Sequence, residues 1–243
     1  MARRFLSATW KNLVMLNYEI DPEILRSLVP LGVELDPWRG KHYVSIVGFL
    51  FLDTRVLGVP IPFHRDFEEV NVRFYVRRRV EESWRRGVAF VKEVVPRWAI
   101  AVMARWLYNE NYVACSMESA VQLPEPARGL PGSLTYRWGE PGNWNVLQAR
   151  FRGQPGLPSP GSEEEFITEH YYGYVAQRDG STVEYQVAHP RWRVWSATEA
   201  SLEGAVGSFY GEQYREALSR PAASAFVAEG SEVAVYQGER ISK

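Results

Sequence analysis

The chain has 243 residues, 46% of them hydrophobic and 23% charged, with a formal net charge of -1. That length and apolar content suit one domain with a sizeable core (1–243), and the balanced charge offers no field to draw in nucleic acid or an anionic membrane. A single cysteine, Cys115, excludes an internal disulfide framework and a cluster of zinc thiolates.

The opening residues, Met1-Ala2-Arg3-Arg4-Phe5-Leu6, start like a leader, but Thr9, Lys11 and Asn12 interrupt the apolar run that should follow. No stretch reaches the ~18 apolar residues of a membrane span. The expected location is cytoplasmic. Leu6 to Tyr18 reads as a strand. Asp21-Pro22-Glu23 is a helix start, with a capping carboxylate, a proline in the first turn and an acid at the positive end. Pro30 limits that helix to a short one. Tyr43 to Leu52 is an apolar run suited to a strand covered on both faces.

The clearest strand follows. Val70, Val72, Phe74 and Val76 alternate with Glu69, Asn71, Arg73, Tyr75 and Arg77, so period two separates an apolar face from a polar one. Arg86 to Val95 is a further strand, on which Lys92 shares a face with Val88, Phe90 and Val94. Pro96 opens a helix over Arg97–Tyr108, and Tyr112 to Val121 returns to strand. Strands are expected near Ser133–Trp138 and Trp144–Arg152, then a proline- and glycine-rich surface loop, Gly153–Ser162. Phe166–Gln177 and Thr182–His189 form a hairpin about Asp179-Gly180. Trp192–Ser196 is strand, Ala205–Leu218 is helical despite Gly207 and Gly211, and Ser231–Tyr236 is a last strand. Many strands with few short helices predict a mainly β (α+β) fold, a closed antiparallel β-barrel or sheet with helical decoration.

Motifs for nucleotide binding, phosphate loops, zinc proteases and nucleophile elbows are missing from the sequence. The candidates for chemistry are therefore dispersed. If the polar face Glu69, Asn71, Arg73, Tyr75 looks inward, an arginine fork, an amide, a carboxylate and a phenol converge on a small polar ligand. If it looks outward, it is a solvated surface. His189, before Pro190-Arg191-Trp192, is a candidate proton carrier or a structural hydrogen-bonding group. Glu169 and His170, read as neighbours on a strand, face opposite ways, and Glu169 is the better site candidate beside Tyr171 and Gly173. Arg105, in the alanine-rich helix, needs a carboxylate such as Glu69 or Glu169 if buried. His64, His170 and His189 lack ligand-like spacing, so no metal and no cofactor are expected.

Several of these motifs together resemble a known family. Asp21-Pro22-Glu23-Ile24-Leu25, Leu28-Val29-Pro30, Leu35-Asp36, Glu69-x-Asn71-Val72-Arg73-x-Tyr75-Val76, Gly87-Val88-x-Phe90, Ala104-Arg105, Thr168-Glu169 and His189-Pro190-x-Trp192 resemble the YqjF-like family, domain of unknown function 2071. The match runs from about Trp10 to about Trp195. That family is placed in the acetoacetate-decarboxylase-like superfamily, so the resemblance implies a β-barrel with an internal pocket. In the decarboxylases a lysine of a pair forms a Schiff base with a β-keto acid. The equivalent stretch here, Asn109-Glu110-Asn111-Tyr112-Val113, has no lysine, and the proline and histidine of YqjF-like relatives are replaced, although Tyr112 keeps its place. The chain has only four lysines, at 11, 41, 92 and 243.

The resulting expectation is a barrel that binds a small polar metabolite resembling an organic acid. Arg73 or Arg105 would clamp the anion and Tyr75, Tyr112 and Trp192 would wall the pocket. Glu69, Asn71, Glu169 and His189 would orient the ligand or move protons. Two alternatives stay open: a lyase or hydratase acting on an oxo acid without a covalent amine, and a non-catalytic scaffold with a filled interior. A homo-oligomer is also open, and no nucleic-acid or membrane partner is expected.

Overall fold

The computed structural model describes residues 3–60, 65–96 and 111–241. Among them one sheet of fifteen strands dominates. In chain order the strands are β1 (Arg4–Glu19), β2 (Glu34–Leu35), β3 (Tyr43–Val56), β4 (Val59–Pro60), β5 (Phe67–Val80), β6 (Ser83–Val95), β7 (Tyr112–Ala114), β8 (Ser116–Gln122), β9 (Gly132–Glu140), β10 (Asn143–Phe151), β11 (Tyr172–Ala176), β12 (Thr182–Ala188), β13 (Val194–Glu203), β14 (Ser224–Tyr236) and β15 (Glu239–Ile241). Four short helices accompany them among the described residues: α1 (Pro22–Arg26), α2 (Glu163–Thr168), α3 (Val206–Tyr210) and α4 (Glu212–Leu218). None is long and apolar enough to cross a membrane.

The sheet closes partly into a ring. Seven strands follow one another in the order β12-β11-β6-β5-β3-β1-β14, and β12 meets β14 again through Val187↔Val235 and Ala188↔Ala234. From β14 the sheet runs on as an arm, β13-β10-β9-β8. That arm folds back over the outside of the ring. Leu134, Tyr136 and Trp138 of β9 and Leu147 and Phe151 of β10 pack with Val14, Ile46, Val72 and Phe74 of the ring strands. A second apolar cluster lies within the ring and includes Leu13, Met15, Phe49, Phe51, Phe67, Val88 and Trp192.

The central ring strands are therefore covered on both faces. On β5 the apolar set Val70, Val72, Phe74 and Val76 faces the arm. The polar set is buried too: Glu69, Asn71 and Tyr75 are only 3%, 3% and 2% exposed. The outward, solvated alternative for this face is thus excluded. Tyr75 anchors a hydrogen-bonded chain that crosses four neighbouring strands. Its hydroxyl meets Ser45 Oγ at 2.6 Å, and Ser45 donates to Asn17 Oδ1 at 2.6 Å. Asn17 Nδ2 donates to Ser224 Oγ at 2.9 Å, and Ser224 donates to Glu163 at the start of α2. Such a chain satisfies buried polar groups that the apolar clusters cannot.

The seam between β6 and β11 is the thin part of the ring, a parallel contact of only Tyr172↔Gly87 and Gly173↔Val88. Both glycines are required by close approach. A Cβ on Gly87 would lie 2.4 Å from the Tyr172 carbonyl oxygen, and one on Gly173 would lie 2.1 Å from Cζ of the Tyr185 ring.

Several expected elements differ in the structure. Phe166 to Thr168 is helix, not strand, because Ser162 caps α2: its Oγ accepts from Glu165 N at 3.2 Å, while the Glu165 carboxylate accepts from Gly161 N at 2.6 Å. The strand expected over Tyr112–Val121 breaks at Cys115 into β7, parallel to β6, and β8, antiparallel to β9. The expected helix Ala205–Leu218 divides at Gly211, whose φ is 123°. The last long strand begins at Ser224, seven residues before the expected Ser231. The helix expected over Arg97–Tyr108 lies outside the described residues.

Gly173→Ala forces a methyl group into the Tyr185 ring and should cost about 1–3 kcal/mol of stability. Urea unfolding of the variant tests this, and a midpoint equal to that of the native protein would contradict the role given to this seam.

Candidate functional site

The ring carries a cavity of about 170 Å³ that is partly open to solvent. Every strand of the ring contributes to its wall, among them Trp10 from β1, Phe49, Phe51 and Thr54 from β3, and Phe67, Glu69, Asn71 and Arg73 from β5. Val88, Phe90 and Glu93 come from β6, Tyr185 and Val187 from β12, and Val235 from β14. Tyr112, Ile167, Thr168, His170, His189 and Trp192 complete it.

Of the residues singled out in the sequence, Glu69, Asn71, Arg73, Tyr112, His189 and Trp192 line this cavity together. Tyr75 stands just behind the wall, against the rings of Phe166 and His170 with centroids 5.2 and 4.8 Å away. Glu169 is not in the wall. As the residue ending α2 it turns aside, accepts a hydrogen bond from Tyr171 and lies 3.8 Å from Arg191. Its neighbour His170 takes the inward place, reversing the expected order of the pair, because neither residue belongs to a strand. Arg105 lies outside the described residues, as does His64. Among the described residues no cluster suited to holding a metal ion occurs.

Lys92 is a second correction. Between Val72↔Lys92 and Arg73↔Phe90 the register of β5 and β6 shifts, leaving Val91 as an extra residue on β6. The bulge keeps Val88 and Phe90 inside and turns Lys92 to the opposite face. Its ammonium donates to the Phe209 carbonyl and sits over the rings of Phe209 and Tyr210, 4.8 and 5.7 Å from their centroids. Burial lowers its pKa. Among the described residues no lysine reaches the cavity.

Arg73 is the cation that does. It is half-buried, with its guanidinium 5.9 Å from the Tyr75 ring centroid, and its nearest described acceptor is the Ile167 carbonyl at a long 3.5 Å. Among the described residues no carboxylate lies within ion-pairing distance of it, and its Nε is buried without an acceptor. Other cavity residues share this condition: Trp10 Nε1, Thr54 Oγ1, Asn71 Oδ1 and His170 Nδ1 are all buried and unpartnered. Asn71 does use its amide nitrogen, which donates to Glu69 Oε1 at 3.0 Å. Buried polar atoms are nearly always paired. Here these five line one hollow, while others, among them Trp138 Nε1, Asn145 Oδ1 and Tyr214 Oη, lie away from it.

Two imidazoles face the same cation. His170 Nε2 lies 3.3 Å from Asp36 Oδ2, which also accepts from Arg86 Nε at 2.6 Å. Burial works against ionisation of Asp36, but the bonds from His170 and Arg86 outweigh it and hold its pKa below the usual carboxylate range. Burial, with the charges of Arg86 and Arg73, takes His170 down to about 4 against the pull of Asp36. His189 stacks on Trp192 at 4.0 Å and 17°, and its Nδ1 lies 2.9 Å from the Pro190 carbonyl. That bond makes Nδ1 the protonated nitrogen and leaves the lone pair on Nε2. Burial and the Arg73 charge lower its pKa as well, although the bond to Pro190 opposes them. Both rings are neutral bases near pH 7.

His170, Trp10, Thr54 and Glu93 are the site residues that sequence reasoning did not pick out. The capping pattern Ser162-x-x-Glu165 was the signal that could have placed His170, since a helix there removes the strand parity that set it opposite to Glu169.

The known proteins that this chain resembles agree with the architecture. Residues 7–232 match the DUF2071 family, described as an uncharacterized conserved protein. The uncharacterized protein YqjF of Bacillus subtilis (strain 168) is 38% identical over 112 residues, 46% of this chain and 45% of that protein, so the match spans less than half of either. Among solved structures, acetoacetate decarboxylase from Legionella pneumophila superposes with a TM-score of 0.69 at 12% identity, over 98% of this chain and 87% of that one. An acetoacetate decarboxylase-like enzyme from Sphingomonas wittichii RW1 gives 0.66 at 12%, over 98% and 93%. The enduracididine biosynthesis enzyme MppR complexed with pyruvate gives 0.66 at 13%, over 98% and 90%. At these identities the likeness is one of fold.

His170 makes stability depend on pH. Its folded pKa, about 4, lies below the unfolded value of about 6.5, so the unfolded chain takes up the proton first. Stability from this source is complete above pH 6.5 and is lost as the pH falls towards 4, by up to roughly 3 kcal/mol. Asp36 adds a loss below that range, where its carboxylate protonates. Urea midpoints measured from pH 7 to pH 4 should fall steeply for the native chain and less for His170→Gln. Parallel curves would refute the assignment.

Proposed function

The chain belongs to the DUF2071 family, and from that premise we propose that its ring binds a small organic anion, held through a carboxylate by Arg73 without covalent attachment. The observation that carries this is the Arg73 guanidinium itself. It is half-buried in the cavity wall, with no described carboxylate beside it and an Nε that has no acceptor. A desolvated charge without a counter-ion is costly to keep. A planar fork of donors is matched by a carboxylate, which supplies both the charge and the acceptors. The unpartnered Trp10 Nε1, Thr54 Oγ1 and Asn71 Oδ1 supply further hydrogen bonds around the same hollow. The pyruvate bound to MppR, a protein of like fold, supports a small oxo acid as the kind of ligand to try first.

One observation favours a catalytic version. Two neutral imidazoles stand close enough to Arg73 for its charge to lower both of their pKa values. An oxo acid clamped there would meet a proton acceptor at His189 Nε2, which suits a lyase or hydratase that works without an amine. The rival of a filled scaffold sits poorly with a cavity of about 170 Å³.

Pyruvate should raise the thermal midpoint of the native protein, as any ligand selective for the folded state does. Arg73→Met should weaken that binding about tenfold to a hundredfold, the worth of a charge-assisted hydrogen bond. Borohydride added with pyruvate should trap no adduct by mass spectrometry. Unchanged binding by Arg73→Met, or a lysine adduct, would rule the proposal out.

A further inference from the structure

We propose, resting on the organic-anion reading above, that the ligand is a carboxylate carrying one compact apolar group, a single ring or a branched alkyl chain, rather than a short polar acid. The register of the ring strands gives the cavity two ends. Along β3 and β5 the facing pairs run Phe51↔Phe67, Phe49↔Glu69, Val47↔Asn71 and Ser45↔Arg73. Aromatic rings therefore mark one end and the guanidinium the other, with the Asn71–Glu69 pair between them.

The ends are joined by a continuous course of aromatic contacts. His189 stacks on Trp192 at 4.0 Å, Trp192 lies 6.2 Å from Trp10, and Trp10 meets Phe49 at 5.2 Å and Phe51 at 5.5 Å, edge-on. Phe51 stacks on Phe67 at 4.6 Å and 10°. A carboxylate held by Arg73 shares the cavity with Trp192 and Trp10, whose rings offer an apolar substituent dispersion contact and removal of apolar area from water. Acetate and pyruvate carry only a methyl group to place against those rings.

Volume limits the group as well. An apolar cavity of about 150 Å³ accepts benzene. The hollow here, about 170 Å³, has room for one such ring or one branched chain beside the head group.

Isothermal titration of the native protein with acetate, pyruvate, benzoate, 4-methyl-2-oxopentanoate and benzamide tests this. Benzoate and 4-methyl-2-oxopentanoate should bind at least about tenfold more tightly than acetate and pyruvate, each buried methylene being worth about a factor of four. Benzamide, which keeps the ring and loses the charge, should bind more weakly than benzoate. Trp10→Ala should erase the preference for the larger acids. If pyruvate or acetate binds as well as the larger acids, the tail site is wrong while the anion reading stands. If no carboxylate binds, or if benzamide equals benzoate, the anion reading itself falls and this inference with it.

Discussion

A strand buried on both faces has to find partners for the polar side chains on one of them, and β5 poses that problem for the whole protein. Its outer face meets the returning arm with Val70, Val72, Phe74 and Val76. Its inner face carries Glu69, Asn71, Arg73 and Tyr75 into the closed part of the ring. Removing such groups from water is costly unless each is paired. Tyr75 is settled by the chain through Ser45, Asn17 and Ser224, which also ties α2 to the ring. Arg73 is not settled in this way. Aliphatic side chains of similar volume would fill the ring at lower cost, as they do on the outer face. The polar interior therefore marks where the fold departs from what stability alone would select, and such departures are expected at working sites.

The same problem explains how much could be read from the sequence. Period-two alternation identified β5 and separated its two faces correctly, but parity says nothing of which face is inside. Only the arm, distant in sequence, decides that. The hairpin about Asp179-Gly180, the first helix at Asp21-Pro22 and the apolar β3 were all legible, because each is set by local turn chemistry, capping or a continuous run. The beginning of β14, Ser224 to Gly230, was hidden: it follows small residues and takes its apolar partners from β1 and β13. Among the candidate residues, Glu69, Asn71, Arg73, Tyr112, His189 and Trp192 line the cavity, those of β5 having been read through alternation. Glu169 and His170 were exchanged because a six-residue helix was taken for strand. Lys92 was placed on the wrong face because a one-residue bulge reverses every side chain beyond it.

That bulge also bears on the chemistry. With regular pairing, Lys92 would follow Val88 and Phe90 into the cavity and bring an amine there. The shifted register exchanges it for Glu93, and the ammonium is spent on Phe209 and Tyr210 outside the ring. Among the described residues the cation in the cavity wall is a guanidinium, which is no nucleophile. The acetoacetate-decarboxylase-like fold runs across the chain, while among the described residues no lysine lines the cavity. A site of this kind must rely on charge, shape and hydrogen bonds.

Electrostatic coupling then ties binding to proton affinity. Arg73 lowers the pKa of both His170 and His189, in each case alongside the larger effect of burial. An anion held by Arg73, as proposed, would offset that influence and raise the proton affinity of both imidazoles. His170 is bonded to Asp36, which also holds Arg86, whereas among the described residues His189 has a single hydrogen bond, from Nδ1 to Pro190. The free Nε2 of His189 is therefore the atom at which arrival of an anion is most readily converted into uptake of a proton.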